Sequence, residues 1–174
     1  SLYFHNDEPD CCTMDPITNL TYKESYISYF CLKEEYIKQN KSPEKIQGFF
    51  NDRLKENFNK LDQLLLKIKS ALAQGQKIEL EIKGFASPLF EADYNINLSK
   101  RRIVSLLNYM EEFQNGSITQ YLKNEQLVIY ELPLGEAKSV NRVNDNPKNK
   151  KLSVYSLEAV LARKIEIVRV KLKQ

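Results

Sequence analysis

The chain has 174 residues, of which 42% are hydrophobic, with 10 Tyr, 8 Phe, 5 Gly and 6 Pro. This composition excludes disordered, collagen-like and low-complexity proteins, and the length suits one domain with its own apolar core. Because 26 Lys and Arg residues oppose 23 Asp and Glu residues, the net charge of +3 argues against a dedicated nucleic-acid binder. No run approaches the ~20 apolar residues of a bilayer-spanning helix. We therefore expect a single domain over residues 1–174 without a membrane span.

The first half of the sequence predicts one short strand followed by helices. Residues 2–4 are typical of a strand, and the polar run after them is typical of a loop. Aromatic residues at three- and four-residue steps predict a helix over about 22–39. A Ser-Pro pair that suits a helix start and a later Gly that suits a helix end predict a long helix over about 43–75, with a break near 50–51 left open.

The second half alternates between strand and helix patterns. The run KIELEIK, residues 77–83, alternates charged and apolar residues and predicts a strand with one wet face. The later elements are a loop over 84–97, a helix over 99–113, a strand over 127–130, a mobile polar loop over 141–151, a short helix over 156–162 and a strand over 164–172. This interleaving allows the central strands to pair in parallel through crossover helices.

Residues that could carry chemistry are few. The single histidine, His5, excludes a multi-histidine metal site, although metal could in principle be bound by its neighbours Asp7, Glu8, Asp10, Cys11 and Cys12. Structural zinc sites need four convergent ligands at defined spacing, so we expect a solvated polar loop and no metal. The sequence has no glycine-rich phosphate loop and no nucleophile elbow. We expect neither a cofactor nor catalytic residues, and we predict that the chain is not an enzyme.

The three cysteines are an odd number without C-x-x-C spacing. Adjacent cysteines seldom pair with each other, so a bridge from Cys31 to Cys11 or to Cys12 is the only plausible one. Free thiols are the default expectation. We also expect the three cysteines to be dispensable for folding, because the helices and strands supply an adequate core without a covalent link.

Two neighbouring arginines begin the helix predicted over 99–113. At about 100° per residue, Arg101 falls nearly opposite the stripe of Ile103, Leu106, Leu107 and Met110, whereas Arg102 falls at its margin. We therefore expect Arg101 to face water. A cation in the first turn of a helix is disfavoured by the helix dipole, which suggests a partner for Arg102. That partner is either Asp93 or Glu91, in a helix-start salt bridge, or the carboxylate of a ligand.

The run G-F-A-S (84–87), the later Y-N, L-S and R-R, and the late A-R-K-I-E-I (162–167) together resemble the OmpA-like peptidoglycan-binding domain of Gram-negative envelope proteins. The resemblance covers roughly 61–172, with 2–7 as a first strand and about 10–45 as an insertion. The GFASP form resembles a subgroup found at the ends of larger envelope proteins. The resemblance implies an α+β fold of β-α-β-α-β-(α)-β order, in which two long helices cover one face of a mixed sheet and strand 77–83 is central.

In that family an Asp and an Arg fifteen positions apart hold the ammonium and carboxylate groups of diaminopimelate in the stem peptide. The resemblance assigns the arginine to Arg102, a pocket asparagine to Asn95 and a pocket-supporting arginine to Arg163. The position of the aspartate is occupied by Ser87, whose hydroxyl cannot supply a negative charge.

Three explanations of Ser87 stay open: weaker affinity, replacement of the acid by Asp93 or Glu91, or a different ligand. The resemblance implies a non-catalytic, periplasmic and outer-membrane-associated module that binds the peptidoglycan stem peptide. The alternative is an envelope protein-interaction domain with a degenerate wall site, in which the aromatic residues from Tyr22 to Tyr36 form the contact surface.

Overall fold

The computed structural model describes residues 1–136 and 143–173. Its centre is a four-stranded sheet made of β1 (Leu2–Tyr3), β2 (Lys77–Ala86), β3 (Leu127–Glu136) and β4 (Lys164–Lys173). The spatial order is β1-β4-β2-β3, with β2 parallel to β3 and β4 antiparallel to both β2 and β1. The predicted α+β class and the mixed sheet are confirmed, and β2 lies between two other strands as expected.

The helices of the described residues are α1 (Tyr22–Cys31), α2 (Lys33–Gln39), α3 (Pro43–Gly48), α4 (Lys55–Ala73), α5 (Ala92–Glu112), α6 (Thr119–Lys123), α7 (Lys150–Ser153) and α8 (Leu157–Ala162). A π-helical segment, Phe49–Leu54, joins α3 to α4, where the sequence left a break open. The helix predicted over 22–39 is instead two helices that meet at Leu32. The short helix α6 was not predicted.

The main core lies between one face of the sheet and the helices α4 and α5. Ile78, Leu80 and Ile82 of β2 are at most 1% exposed, while the intervening Lys and Glu side chains turn to the other face. They pack in one apolar cluster with Leu65 of α4 and Leu106 of α5. Period-two alternation in β2 and helical stripes in α4 and α5 therefore build this region, as the sequence predicts.

A close approach of α5 to β2 explains the glycine of the GFAS run. A Cβ added to Gly84 would lie 2.4 Å from the carbonyl oxygen of Ser99 in α5. The backbone of Ser99 cannot withdraw without moving the helix, so any larger residue would push α5 off the sheet. A hydrogen bond also links α5 to β3, because the Gly135 N–H of β3 donates to Ser99 Oγ at 3.2 Å.

Two predicted boundaries around this junction were wrong. The loop expected over 84–97 is short, since β2 continues to Ala86 and α5 begins at Ala92. Asn95 and its polar neighbours are weak helix formers, so the pattern did not show a helix there. β3 also runs past Tyr130 to Glu136 although it contains Pro133, which an edge strand such as β3 tolerates because its outer N–H groups need no partner.

The helices of the insertion form a second apolar cluster rather than an exposed surface. Tyr29 and Tyr36 of this cluster have no solvent exposure and pack around Phe50 in edge-to-face geometry, while Tyr22, also without exposure, packs in the main core. The contact surface that the interaction-domain alternative requires is therefore not formed by these tyrosines. All three cysteines are free and exposed.

The last helix and the last strand lie within one residue of their predicted bounds. Ser156 caps α8 by accepting a hydrogen bond from Ala159 N–H, and β4 begins two residues after α8 ends. The loop predicted over 141–151 lies partly outside the described residues, and its last two positions belong to α7.

Candidate functional site

Arg102, the predicted carboxylate anchor, is fully buried beneath the amino-terminal segment (residues 5–20). Its Nε donates to the Glu8 carbonyl at 2.9 Å, Nη1 to the Phe85 carbonyl at 2.7 Å and Nη2 to the His5 carbonyl at 3.3 Å. Its guanidinium carbon also lies 5.3 Å from the centre of the Phe4 ring. Neither Asp93 nor Glu91 is among these partners. Arg102 therefore ties the amino-terminal segment to the end of β2, and its direct contact with a ligand stays a prediction.

Arg101 is also fully buried, so the expectation that it faces water was wrong. Its Nε donates to the Pro9 carbonyl at 3.0 Å, and its Nη1 donates to the Thr13 and Asp15 carbonyls at 2.8 and 2.7 Å. A helical wheel places Arg101 in water only if the sheet alone covers α5. The amino-terminal segment covers the opposite side of the helix, and Arg101 supplies hydrogen-bond donors to its backbone carbonyls.

The two arginines contribute to a buried cationic centre that also contains His5 and Arg163. Burial, with a smaller effect of the neighbouring Arg163, lowers the pKa of Arg102 to about 9, while Asp7 acts in the opposite direction. Burial, followed by the charges of Arg163 and Arg102, lowers the pKa of His5 to about 4. His5 is therefore neutral at pH 7, and its Nδ1 lies 2.7 Å from the Tyr36 hydroxyl.

Arg163, predicted to support the pocket, has no exposed surface and lies at the start of β4. Its Nη2 donates to the Val154 carbonyl at 2.8 Å and to the Tyr36 hydroxyl at 3.2 Å. Its Nε and Nη1 are buried and have no hydrogen-bond partner among the described residues. Arg163 is therefore an internal side chain and not a solvated cation at the end of α8.

The loop between β2 and α5 contains the remaining predicted site residues. Ser87 follows β2 directly and is 3% exposed, and its carbonyl accepts a hydrogen bond from Leu89 N–H at 2.8 Å. Asp93 and Glu91 are exposed at the start of α5. Asn95 is fully buried in the first helical turns, where its Nδ2 donates to the Phe90 carbonyl at 2.8 Å.

A carboxylate that the sequence analysis missed lies beside this loop. Glu136 ends β3 and pairs with Ala86 of β2, one residue before Ser87. Asn95 Nδ2 donates to Glu136 Oε1 at 3.1 Å, and Asn95 Oδ1 is buried without a partner in the part of the chain that is described. Because parallel strands end at the same edge of a sheet, β2 and β3 bring Ser87 and Glu136 together. Only knowledge of this pairing could have identified Glu136.

The arrangement has the electrostatics of a site for a small zwitterionic group. Glu136 is exposed and offers a negative charge, and α5 begins at the same loop without a side-chain cap on its amides. The positive end of the α5 dipole and the buried cationic centre favour an anion there. Among the described residues, the group of carboxylate and thiol side chains close enough to share a metal ion lies elsewhere, at Asp7, Cys11 and Cys12.

Comparisons of the chain with protein-family models, curated proteins and solved structures gave no significant match. Within the described ranges, no helix combines the length and the apolar character needed to cross a bilayer.

Proposed function

We propose that the protein is a non-catalytic module that binds the diaminopimelate group of the peptidoglycan stem peptide and thereby anchors an envelope protein to the cell wall. This function would place the chain in the periplasm, in association with the outer membrane. The motifs from Gly84 to Arg102 and from Ala162 to Ile167 suggest the ligand, and the geometry at the β2, β3 and α5 junction suggests how it is held.

The pairing of Glu136 with Ala86, the residue before Ser87, is the observation that carries the proposal. The resemblance requires an acid after β2 to pair with the ligand ammonium group, and Ser87 cannot act as one. Glu136 reaches the same strand end from β3 and is oriented by Asn95. A charge-assisted hydrogen bond from an ammonium group to this carboxylate is the strong type of polar contact.

The carboxylate of the ligand is assigned to the uncapped first turn of α5. In this arrangement Arg102 also contributes by position, because its Nη1 fixes the Phe85 carbonyl two residues before Ser87. The buried charges of Arg102 and Arg163 add a favourable field, which a low-dielectric interior screens weakly.

Co-sedimentation with insoluble peptidoglycan sacculi tests the proposal. The wild-type chain should sediment with sacculi, and Glu136→Gln should weaken binding by about 1.5–3 kcal/mol, or roughly 10- to 150-fold, because a charge-assisted bond is lost. Glu112→Gln is the matched control. It removes the same charge from an exposed residue at the far end of α5 and should bind like the wild type.

Soluble stem peptides separate the two ends of the ligand. Acetylation of the diaminopimelate amino group should weaken binding to the wild type but have little further effect on Glu136→Gln. Amidation of its carboxylate should weaken binding to both proteins. Failure of the wild type to sediment would favour the interaction-domain alternative, while equal effects of the two Glu changes would exclude Glu136 as the ammonium partner.

A further inference from the structure

A second group of side chains converges in the amino-terminal segment. None of them belongs to the proposed wall-binding site. The Asp7 carboxylate and the thiols of Cys11 and Cys12 offer three ligand atoms that all lie within 4.8 Å of one another. Cys12 Sγ lies 3.9 Å from Asp7 Oδ2. We propose that Asp7, Cys11 and Cys12 bind a thiophilic divalent cation of the Zn²⁺ class.

The ligand chemistry selects the class of cation. Two cysteine sulfurs and one carboxylate oxygen suit Zn²⁺ and related ions, whereas Ca²⁺ and Mg²⁺ require mostly oxygen ligands. Around one Zn²⁺, with Zn–S of ~2.3 Å and Zn–O of ~2.0 Å, neighbouring ligand atoms lie about 3.5–4 Å apart. Both thiols are exposed, so a small rotation of each closes the separation seen here. Three protein ligands leave the fourth position of a tetrahedron to water.

The carboxylate is already oriented as a metal ligand would be. The Tyr94 hydroxyl donates to Asp7 Oδ1, which leaves Oδ2 on the side of the thiols. The Cys12 N–H donates to the same Oδ2 at 3.3 Å and to the Tyr94 hydroxyl at 3.1 Å. Hydrogen bonds of this kind fix the geometry of ligating groups and raise metal affinity.

The backbone that carries the thiols is held from below by a buried side chain. Arg101 donates to the carbonyls of Pro9, Thr13 and Asp15, on both sides of the two cysteines. The chain segment from Pro9 to Asp15 therefore has little freedom left to lose when a cation binds. Pre-organisation of this kind lowers the cost of binding.

Zinc binding by the reduced chain, measured by competition with a chromophoric chelator, tests the site. Wild type should bind one Zn²⁺ per monomer, and so should Cys31→Ser, the matched control that removes an exposed thiol elsewhere. Cys11→Ser and Cys12→Ser should each weaken binding by more than about 100-fold, because loss of only an outer partner of a ligand already costs ~10- to 100-fold. Asp7→Asn should weaken Zn²⁺ binding by at least about 10-fold.

Two further readouts make the result decisive. Co²⁺ should give a thiolate-to-metal charge-transfer band in wild type and Cys31→Ser but not in the other cysteine variants. Zn²⁺ should raise the thermal unfolding midpoint of the wild type but not that of Cys11→Ser or Cys12→Ser. Absence of binding by the reduced wild type, equal binding by all cysteine variants, or a metal-linked dimer in sedimentation would each overturn the proposal. Failure of the chain to bind peptidoglycan would not contradict the metal site, because neither thiol belongs to the proposed wall-binding site.

Discussion

The sheet with α4 and α5 and the amino-terminal segment are stabilised in different ways. In the first region, apolar side chains such as Leu80 and Leu106 meet in one cluster and exclude water. In the second, two buried arginines donate to six backbone carbonyls, three from Arg101 and three from Arg102. Five of the six carbonyls belong to residues 5–15, and the sixth, that of Phe85, belongs to β2.

This contrast shows how a polar segment can be fixed on an apolar fold. Residues 5–15 offer few apolar side chains, so hydrophobic burial cannot hold them. A buried carbonyl without a partner costs free energy, and a planar guanidinium with five donors can supply several carbonyls at once. Arg101 and Arg102 are thus the polar counterpart of the apolar stripe on the same helix.

Removal of Arg102 should have the largest effect, because this side chain joins the two regions. Arg102→Ala leaves the carbonyls of His5, Glu8 and Phe85 without their donors and should lower the free energy of unfolding by about 3–5 kcal/mol. Denaturant titration measures this. Arg102→Lys keeps the charge but not the fork of donors, so it should lose most of the same stability; near-wild-type stability would show that charge alone matters.

Arg101→Ala should lower stability by about 2–4 kcal/mol, with the loss concentrated in residues 9–15. Hydrogen exchange should show faster exchange in that segment while β2 stays protected. Arg53→Ala, which removes the same charge from an exposed side chain, should change stability by less than about 0.5 kcal/mol. Similar results for the two variants would contradict the buried position of Arg101.

Gly84→Ala perturbs the contact between β2 and α5 in the apolar region. The added methyl group meets the Ser99 carbonyl at 2.4 Å, and we expect a loss of about 1–3 kcal/mol because α5 must shift. Gly48→Ala is the control, since its new Cβ meets only Asp52 Oδ2 at 3.6 Å within a helix. That change should stabilise the folded chain by about 0.5–1 kcal/mol. The thermal unfolding midpoint should therefore fall for Gly84→Ala and rise for Gly48→Ala.

The smallest expected effect is a pH dependence that arises from His5. Its folded-state pKa of about 4 lies below its ordinary value of 6.5, so between these values the unfolded chain binds a proton that the folded chain does not. Stability should therefore fall as the pH falls from 6.5 to 4, by about 1–2 kcal/mol after allowance for partial exposure of the ring.

His5→Gln isolates that contribution. Burial raises the pKa of the nearby Glu8, which acts with the opposite sign in an overlapping pH range. Subtracting the pH profile of His5→Gln from that of the wild type cancels the contribution of Glu8. A difference profile that is flat between pH 6.5 and 4 would show that His5 titrates normally in the folded chain.

The same contrast explains which parts of the fold could be predicted. The alternation in β2 and the stripe from Ile103 to Met110 are local patterns, and the structure contains both. The position of Arg101 depends on chain some 90 residues earlier, which no local pattern reveals. The start of α5 was missed for a related reason, because Asn95 is held by contacts with Phe90 and Glu136 rather than by its own helix propensity.

The candidate site divides in the same way. Arg102, Arg163, Asn95 and Ser87 could be named from motif spacing, and all four are buried near the ends of β2 and β4. Their exposure and partners could not be predicted, because the segment that covers Arg102 belongs to the loop that precedes the insertion helices. Glu136 could not be found either, since its contact with the loop exists only when β3 pairs beside β2.

Chemical-shift mapping with a stem peptide that contains diaminopimelate is the most direct test of the central claim that this strand-end loop is the binding site. The account predicts perturbations confined mainly to Ser87–Asn95 and Gly135–Glu136, with small changes at the buried Arg102. The peptide should cause no comparable shifts in Glu136→Gln. Perturbations confined to residues 1–20, or none at saturating peptide, would contradict it.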